Sequence, residues 1–318
     1  MASAPQQSLA RALVRDFAGQ QPIRAGSFII TLYGDSIAPR GGTLSLASLL
    51  ALMTEFGANE SLVRTAVSRL AADSWLSGRK LGRRSYYSLT DPGRRRFEEA
   101  TRRIYAGPPV SWDGSWRLVL IPGGAGERRD SLRKELRWLG FGQAAPGVLL
   151  HPSADPRAVS EVLEQTGAGE RAILISGASD LPVAGTALSQ LVADAWNFDD
   201  ITEGYRRFLG RFRPLAQAFS DGNALSPLES LQVRLLLVHE FRKVVLRDPM
   251  LPLDLLPGDW AGQEARTLCR DIYAAVVGPS EAWVREHLET EAGSLPEPEG
   301  AFWQRFGGLP QAQRQGAA

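Results

Sequence analysis

Nine polar side chains between residues 61 and 84 have the types and spacing for nucleic-acid chemistry. At about 100° per residue, Ser61, Arg64, Thr65 and Ser68 fall on one face of a helix, with Arg69 on its flank. An arginine presents paired donors that match the major-groove edge of guanine, and a serine or threonine hydroxyl bonds a base or a phosphate. Arg79, Lys80, Arg83 and Arg84 follow around Gly82, a tight basic turn suited to phosphate oxygens. The plain alternative is a solvated helix face and a solvated turn. A helix followed at once by a basic hairpin favours DNA, because few other folds need both in this order.

The surrounding residues supply the elements. Asn59 is a good N-cap, and Glu60 places negative charge in the first turn. Leu62, Val63, Ala66, Val67 and Leu70 form the apolar stripe behind the polar face. Trp75 and Leu76 return the chain to the core, and Tyr86 and Leu89 belong to the second hairpin strand. Upstream, Gly26 to Ser36 reads as a helix with Phe28, Ile29, Leu32 and Tyr33 inward. Thr43 to Leu46 reads as a small strand, and Ser45 to Glu55 as a second helix carrying Leu46, Leu49, Leu50 and Met53, ended near Gly57. Three helices and then a hairpin make a winged helix-turn-helix. Thr90-Asp91-Pro92 opens a further helix to Tyr105, with Pro in its first turn. Its arginines, Arg94, Arg95, Arg96, Arg102 and Arg103, suit either solvent or phosphate.

Gly107-Pro108-Pro109 marks a boundary. Beyond it, strands at Trp116–Pro122, Gly147–His151 and Ala172–Ser176 interleave with helices at Arg128–Leu139 and Asp155–Gln165, the pattern of a ferredoxin-like α+β domain. From Leu188 the period is helical, with helices expected over 186–196, 199–220, 226–245, 262–276 and 280–290. The expected organisation is a flexible tail over 1–24, the winged helix-turn-helix with a linker helix over 25–106, the ferredoxin-like domain over 110–185, a helical effector and dimerisation domain over 186–292, and a loose tail over 293–318.

Composition bounds the function classes. Of 318 residues, 44% are hydrophobic and 22% charged, the balance of a soluble globular protein. The net charge is +1, yet positive charge is in excess before residue 106 and negative charge after it, so the basic excess coincides with the basic hairpin. The single cysteine, Cys269, cannot form an internal disulfide, reads as a small core side chain and suits a cytoplasmic location. No apolar run approaches the ~18 residues of a membrane span, and the N-terminus lacks a signal peptide's apolar centre.

Catalytic and metal motifs mostly fail on spacing. His239-Glu240 begins an HExxH motif, but position 243 is Lys. His151 and His287 lie far from it in sequence, so no metal site is expected. There is no GxSxG elbow. Gly123-Gly124-Ala125-Gly126 follows a strand and precedes a helix, but Arg129 stands where the third glycine of GxGxxG belongs. It reads as a plain loop, or as a phosphate cradle made by helix amides with Arg128 and Arg129. No catalytic residue is assigned.

The chain as a whole resembles the PaaX family of transcriptional repressors of phenylacetic acid degradation. The resemblance rests on LYGDSIAPRGG with SLVRTAVSRLAADSWL and GRRSYYSLTDPGRRRFEEATRRIY, on WNFDDITEGYRRFL, and on LVHEFRKVVLRDPMLPLDLLPGDWAG with ARTLCRDIY. It implies an N-terminal winged helix, a central ferredoxin-like domain similar to Cas2 and a helical C-terminal domain. It further implies a cytoplasmic homodimer on double-stranded operator DNA, released by phenylacetyl-CoA or a related aryl-CoA. His239, Arg242 and Lys243 share a helical face, with Arg247 and Trp260 close by in sequence, and this cationic set suits the phosphates of a coenzyme A effector. The alternative is an Arg–Asp and His network that braces the loop. A different function class is an enzyme acting on an acyl-CoA or nucleic acid, with the winged helix as accessory. Metal-dependent phosphodiester cleavage needs convergent carboxylates, and the first central strand, WRLVLIP, offers none, which favours the repressor.

Overall fold

A computed structural model describes residues 5–20, 23–105, 111–122, 126–167, 171–178, 186–219 and 225–310. The chain folds as two compact units. One comprises Met1–Gly107, Arg207–Lys243 and Glu264–Ala318, and the other Pro108–Arg206 and Val244–Gln263.

The first unit begins with α1 (Pro5–Ala18), whose Ala10, Leu13 and Phe17 are buried. This corrects the expectation of a flexible tail over 1–24 for Pro5–Ala18, while residues 1–4 and 21–22 lie outside the described residues. The reason is Phe17, which lies 4.6 Å from the Phe28 ring and edge-on to Phe56. Gly57, at φ +78, lets α1 approach closely, since a Cβ there would sit 2.7 Å from the Ala18 methyl. Next, α2 (Ala25–Leu32) runs into a wide π turn over Tyr33–Ile37 and a 3-10 turn over Ala38–Arg40. Phe28, Ile29, Leu32 and Tyr33 are all inside, as the periodicity predicts. The strand β1 (Thr43–Ser45) leads into α3 (Leu46–Thr54), capped by the Ser45 hydroxyl. In α3 it is Leu52 rather than Leu50 that is fully buried. Helix α4 (Glu60–Ala72) and the strands β2 (Leu76–Leu81) and β3 (Arg84–Leu89) follow. They form an antiparallel sheet of order β1-β3-β2. Helix α5 (Asp91–Ile104) is capped by the Thr90 hydroxyl, which accepts from the Gly93 amide at 3.0 Å.

The second unit holds β4 (Ser115–Leu120), α6 (Glu127–Trp138), β5 (Gly142–Ala145), β6 (Val148–His151), α7 (Pro156–Gln165) and β7 (Ile173–Ala178). The sheet order is β5-β6-β4-β7 and every pairing is antiparallel. This βαββαβ path with its two helices is the ferredoxin-like arrangement. Strand β5 is the element the sequence does not announce: GQAA has no alternating apolar pattern and carries a bulge between Gln143 and Ala145. On one face Val119, Leu149, Leu132, Leu136, Val159 and Leu163 form a core. On the other, Trp116 and Leu150 pack with Val192, Trp196, Phe198 and Leu251. Of the Gly123–Gly126 loop, residues 123–125 lie outside the described residues.

Helices α8 (Thr186–Ala195), α9 (Asp199–Ala218), α10 (Pro227–Val245) and α11 (Gly262–His287) complete the helical part. The two helices expected over 262–276 and 280–290 are one, because α11 runs through Pro279. Proline removes one intrahelical bond and strains the turn. Here Val276, Val277, Ser280, Glu281 and Val284 are all buried around it, and that packing carries the helix across. The expected helical domain over 186–292 does not separate as one body. Residues 207–243 and 264–287 group with the unit that holds α4 and the basic hairpin. The segment expected as a loose tail from 293 is also corrected. A short hairpin of β8 (Glu289–Thr290) and β9 (Gly293–Ser294) is followed by α12 (Gly300–Trp303), and Phe302, Arg305, Phe306 and Leu309 are buried.

Candidate nucleic-acid interface

Helix α4 starts where Asn59 Oδ1 accepts from the Leu62 amide at 2.8 Å. Val63, Ala66, Val67 and Leu70 are buried, which fixes the helix's rotation about its own axis. Ser61, Arg64, Thr65, Ser68 and Arg69 are therefore all exposed, as the spacing predicts. Arg64 is held one turn back by Glu60, its Nε 2.7 Å from Oε1. Arg69 has no ion-pair partner among the described residues.

The hairpin pairs Leu76 with Leu89 through to Leu81 with Arg84, so only Gly82 and Arg83 make the turn, and Gly82 sits at φ +59. Arg79, Lys80, Arg83 and Arg84 are exposed. They do not form one row. Residues opposite each other in an antiparallel pair share a face, so Arg79, Leu81 and Arg84 lie on one face and Lys80 on the other. Leu81 is an exposed apolar residue among these cations. Two of the arginines are engaged by the β8–β9 hairpin: Arg79 pairs with Glu291, and Arg84 lies 3.4 Å from Glu289.

The arginines of α5 divide. Arg94 bonds the Gly41 carbonyl at 3.3 Å. Arg96 reaches the Asp73 carbonyl at the end of α4 and lies 4.9 Å above the Trp75 ring. These two brace the helix and hairpin rather than standing free, while Arg95 and Arg102 are exposed.

Behind this surface lies a buried polar network that sequence reasoning missed. Asp35, in the π turn, lies 2.7 Å from the Arg234 guanidinium. It accepts bonds from the Tyr105 hydroxyl at 2.6 Å, the Tyr273 hydroxyl at 2.9 Å and Arg305 at 3.2 Å. Arg234 and Arg40 also pair with Glu281. Burial by itself raises the Asp35 carboxyl, but the Arg234 and Arg305 guanidiniums and the two tyrosine hydroxyls outweigh it and hold the group below its usual range. Burial lowers Arg40 to about 10, with repulsion from Arg234 adding to the effect. A lone acid between Tyr33 and Ile37 in an apolar helix was the available signal. Its partners lie as far as 270 residues away.

Residues 24–93 match the family model described as PaaX-like protein, residues 109–189 the PaaX protein central Cas2-like domain, and residues 196–286 the PaaX-like protein C-terminal domain. A curated relative, Transcriptional repressor PaaX of Escherichia coli (strain K12), is 39% identical over 289 residues, covering 91% of this chain and 92% of the relative. The chain belongs to the PaaX family. The Cas2-like match falls on the ferredoxin-like sheet and its helices. A solved structure, the uncharacterized protein Rv0674 from Mycobacterium tuberculosis, aligns at 22% identity with a TM-score of 0.46, covering 74% of this chain and 89% of that one.

Within this PaaX-family chain, the residues expected to meet an effector have other partners. His239 is buried, and its Nδ1 lies 2.8 Å from the Thr31 hydroxyl. The rings of Phe17 and Phe28 stand edge-on against it. Burial, with Lys243, Arg242 and Arg211 nearby, depresses its pKa to about 2, so the imidazole is neutral. The expectation of a cationic His239 facing a ligand is corrected: it packs α10 against α2. Arg242 does likewise, donating to the Ser27 carbonyl at 2.8 Å and hydroxyl at 2.6 Å. Lys243 is exposed and pairs with Glu240 at 2.7 Å. Arg247 and Trp260 belong to the other compact unit. Arg247 is exposed, 3.8 Å from Asp200, and Trp260 stands edge-on to Phe198 and Tyr205. Asp248 accepts from Tyr205 at 2.6 Å and from the Met250 amide at 2.8 Å, so the proline-rich loop is braced by an Asp–Tyr contact.

Proposed function

We propose that this PaaX-family chain is a transcriptional repressor whose α4 enters the major groove of double-stranded operator DNA, with the β2–β3 hairpin as a wing on the phosphates. The observation that carries this reading is the exposure of the polar face of α4, whose opposite face is buried, beside an exposed basic hairpin. Helix-turn-helix proteins place such a helix so that a few side chains reach base edges. In this reading the chain acts as a cytoplasmic homodimer on a phenylacetate-type aromatic-acid operon, and phenylacetyl-CoA or another aryl-CoA lowers its operator affinity. The family resemblance supports the effector and the dimer. The basic excess before residue 106 supports the DNA partner.

The test is a titration of the full chain on its own upstream region, repeated with a panel of CoA thioesters. Arg64→Ala or Arg69→Ala should lose about 1–3 kcal/mol on the operator and relax preference at one base pair. Unaltered operator selectivity in both variants would show that α4 does not read the groove. Absence of any thioester that releases the DNA would remove the effector from the reading.

A further inference from the structure

We infer that the β8–β9 hairpin is a built-in competitor for phosphate: Glu289 and Glu291 occupy Arg84 and Arg79 in the free protein, and DNA must displace both carboxylates to reach these arginines. The inference rests on the reading of the β2–β3 hairpin as a phosphate-contacting wing. Its basis is geometric. Arg79 and Arg84 lie on the same face of the wing, and the two glutamates that meet them are two residues apart in a tight hairpin. That hairpin is anchored rather than loose. The Glu289 amide donates to the Ser48 hydroxyl at 3.0 Å, the Leu295 amide donates to the Leu288 carbonyl at 3.1 Å, and both leucines are buried. The carboxylates are thus presented to the wing by fixed backbone. Lys80 and Arg83 have no ion-pair partner among the described residues, so the competition falls on half of the wing's cations.

A carboxylate and a phosphate offer a guanidinium the same thing, paired anionic oxygens. On binding DNA, each Arg–Glu pair is exchanged for an Arg–phosphate pair, and a carboxylate is left beside the polyanion. The exchange weakens binding to any duplex. It is felt most in non-specific binding, whose strength comes almost entirely from phosphate neutralisation. Glu289 and Glu291 therefore lower the protein's residence on DNA at large and make its hold more dependent on the contacts of α4.

The experiment is fluorescence anisotropy of the full chain on a labelled random-sequence duplex across a salt series. E289Q/E291Q keeps the shape of both side chains. It should bind about three- to tenfold tighter at low salt, the range two exposed ion pairs can supply. Its log–log salt slope should steepen by about one to two units. R79A/R84A should bind more weakly, and adding E289Q/E291Q to it should tighten binding clearly less than the same change does in wild type, because only the repulsion between the carboxylates and the polyanion is then relieved. Wild-type affinity in E289Q/E291Q, alongside weakened R79A/R84A, overturns the competitor while leaving the wing in place. Equal tightening with and without the two arginines is a plain net-charge effect and overturns it as well. R79A/R84A binding like wild type sinks the wing reading itself, and this inference with it.

Discussion

Asp35 and His239 show how single buried polar groups organise this protein. Asp35 is the carboxylate on which Arg234, Arg305, Tyr105 and Tyr273 converge. Among the described residues of the network, Arg40, Arg234 and Arg305 face only Asp35 and Glu281 as carboxylates. Asp35→Asn keeps the shape but leaves Arg305 without a carboxylate and Arg234 and Arg40 to share Glu281, and removing one partner of a buried pair costs about 3–5 kcal/mol. A thermal melt of the variant should show the loss, and a melt superimposable on wild type would refute it. His239 works through protonation. Its folded pKa, about 2, lies below the usual 6.5, so below pH 6.5 the unfolded chain takes up a proton that the folded chain refuses. Its contribution is fully present above that value and falls by about 1.4 kcal/mol per pH unit below it. Asp35 acts in the same direction but only below its own unfolded value of 3.8. Denaturant midpoints measured from pH 7 to pH 4.5 should decline in wild type and stay flatter in His239→Gln. Parallel slopes would assign the decline to other groups.

At the scale of elements, the start of α4 and the turn of the β2–β3 hairpin are set by short-range devices. The Asn59 cap satisfies the Leu62 amide and keeps the first turn, with Ser61 and Arg64, in register. Asn59→Ala should cost about 1 kcal/mol and weaken operator binding, whereas Asn59→Ser should retain both; a melting point indifferent to either change would show the cap to be idle. These devices lie within a few residues of the helix they serve, which is why the exposed face of α4 and the turn at Gly82 were legible in the amino-acid order. The long α11 was not. Local propensity stops a helix at Pro279, and only the buried residues on either side of it overrule that stop.

At the scale of the whole molecule, helix α1 and the segment 300–309 are structural. Phe302, Arg305, Phe306 and Leu309 are buried in the same unit as α4, and Arg305 lies 4.0 Å above the Tyr105 ring and 4.4 Å above that of Phe302. Ending the chain after Glu299 removes these rings and one arm of the Asp35 network. Loss of even one such aromatic costs about 3–5 kcal/mol, so the truncated chain should melt at lower temperature and lose operator affinity through the weakened unit. A truncation that binds and melts as the full chain does would return this segment to the status of a tail.

By itself the amino-acid order determined the caps, the apolar stripes, the basic turn, most strands of the ferredoxin-like sheet and the family resemblance. All of these depend on neighbours within about two turns of helix or on contiguous motifs. The tertiary structure alone decided that α1 and the segment 300–309 are packed, that His239 and Arg242 face α2, and that Glu289 and Glu291 meet the β2–β3 hairpin. Apart from the packing of Phe17 on Phe28 and Phe56, these outcomes join residues more than 200 positions apart, such as Arg242 with Ser27 across 215 and Arg79 with Glu291 across 212. A basic side chain on a helix reads the same whether it meets a ligand, a phosphate or a distant serine. Which of these it meets is set by the packing that brings remote segments together.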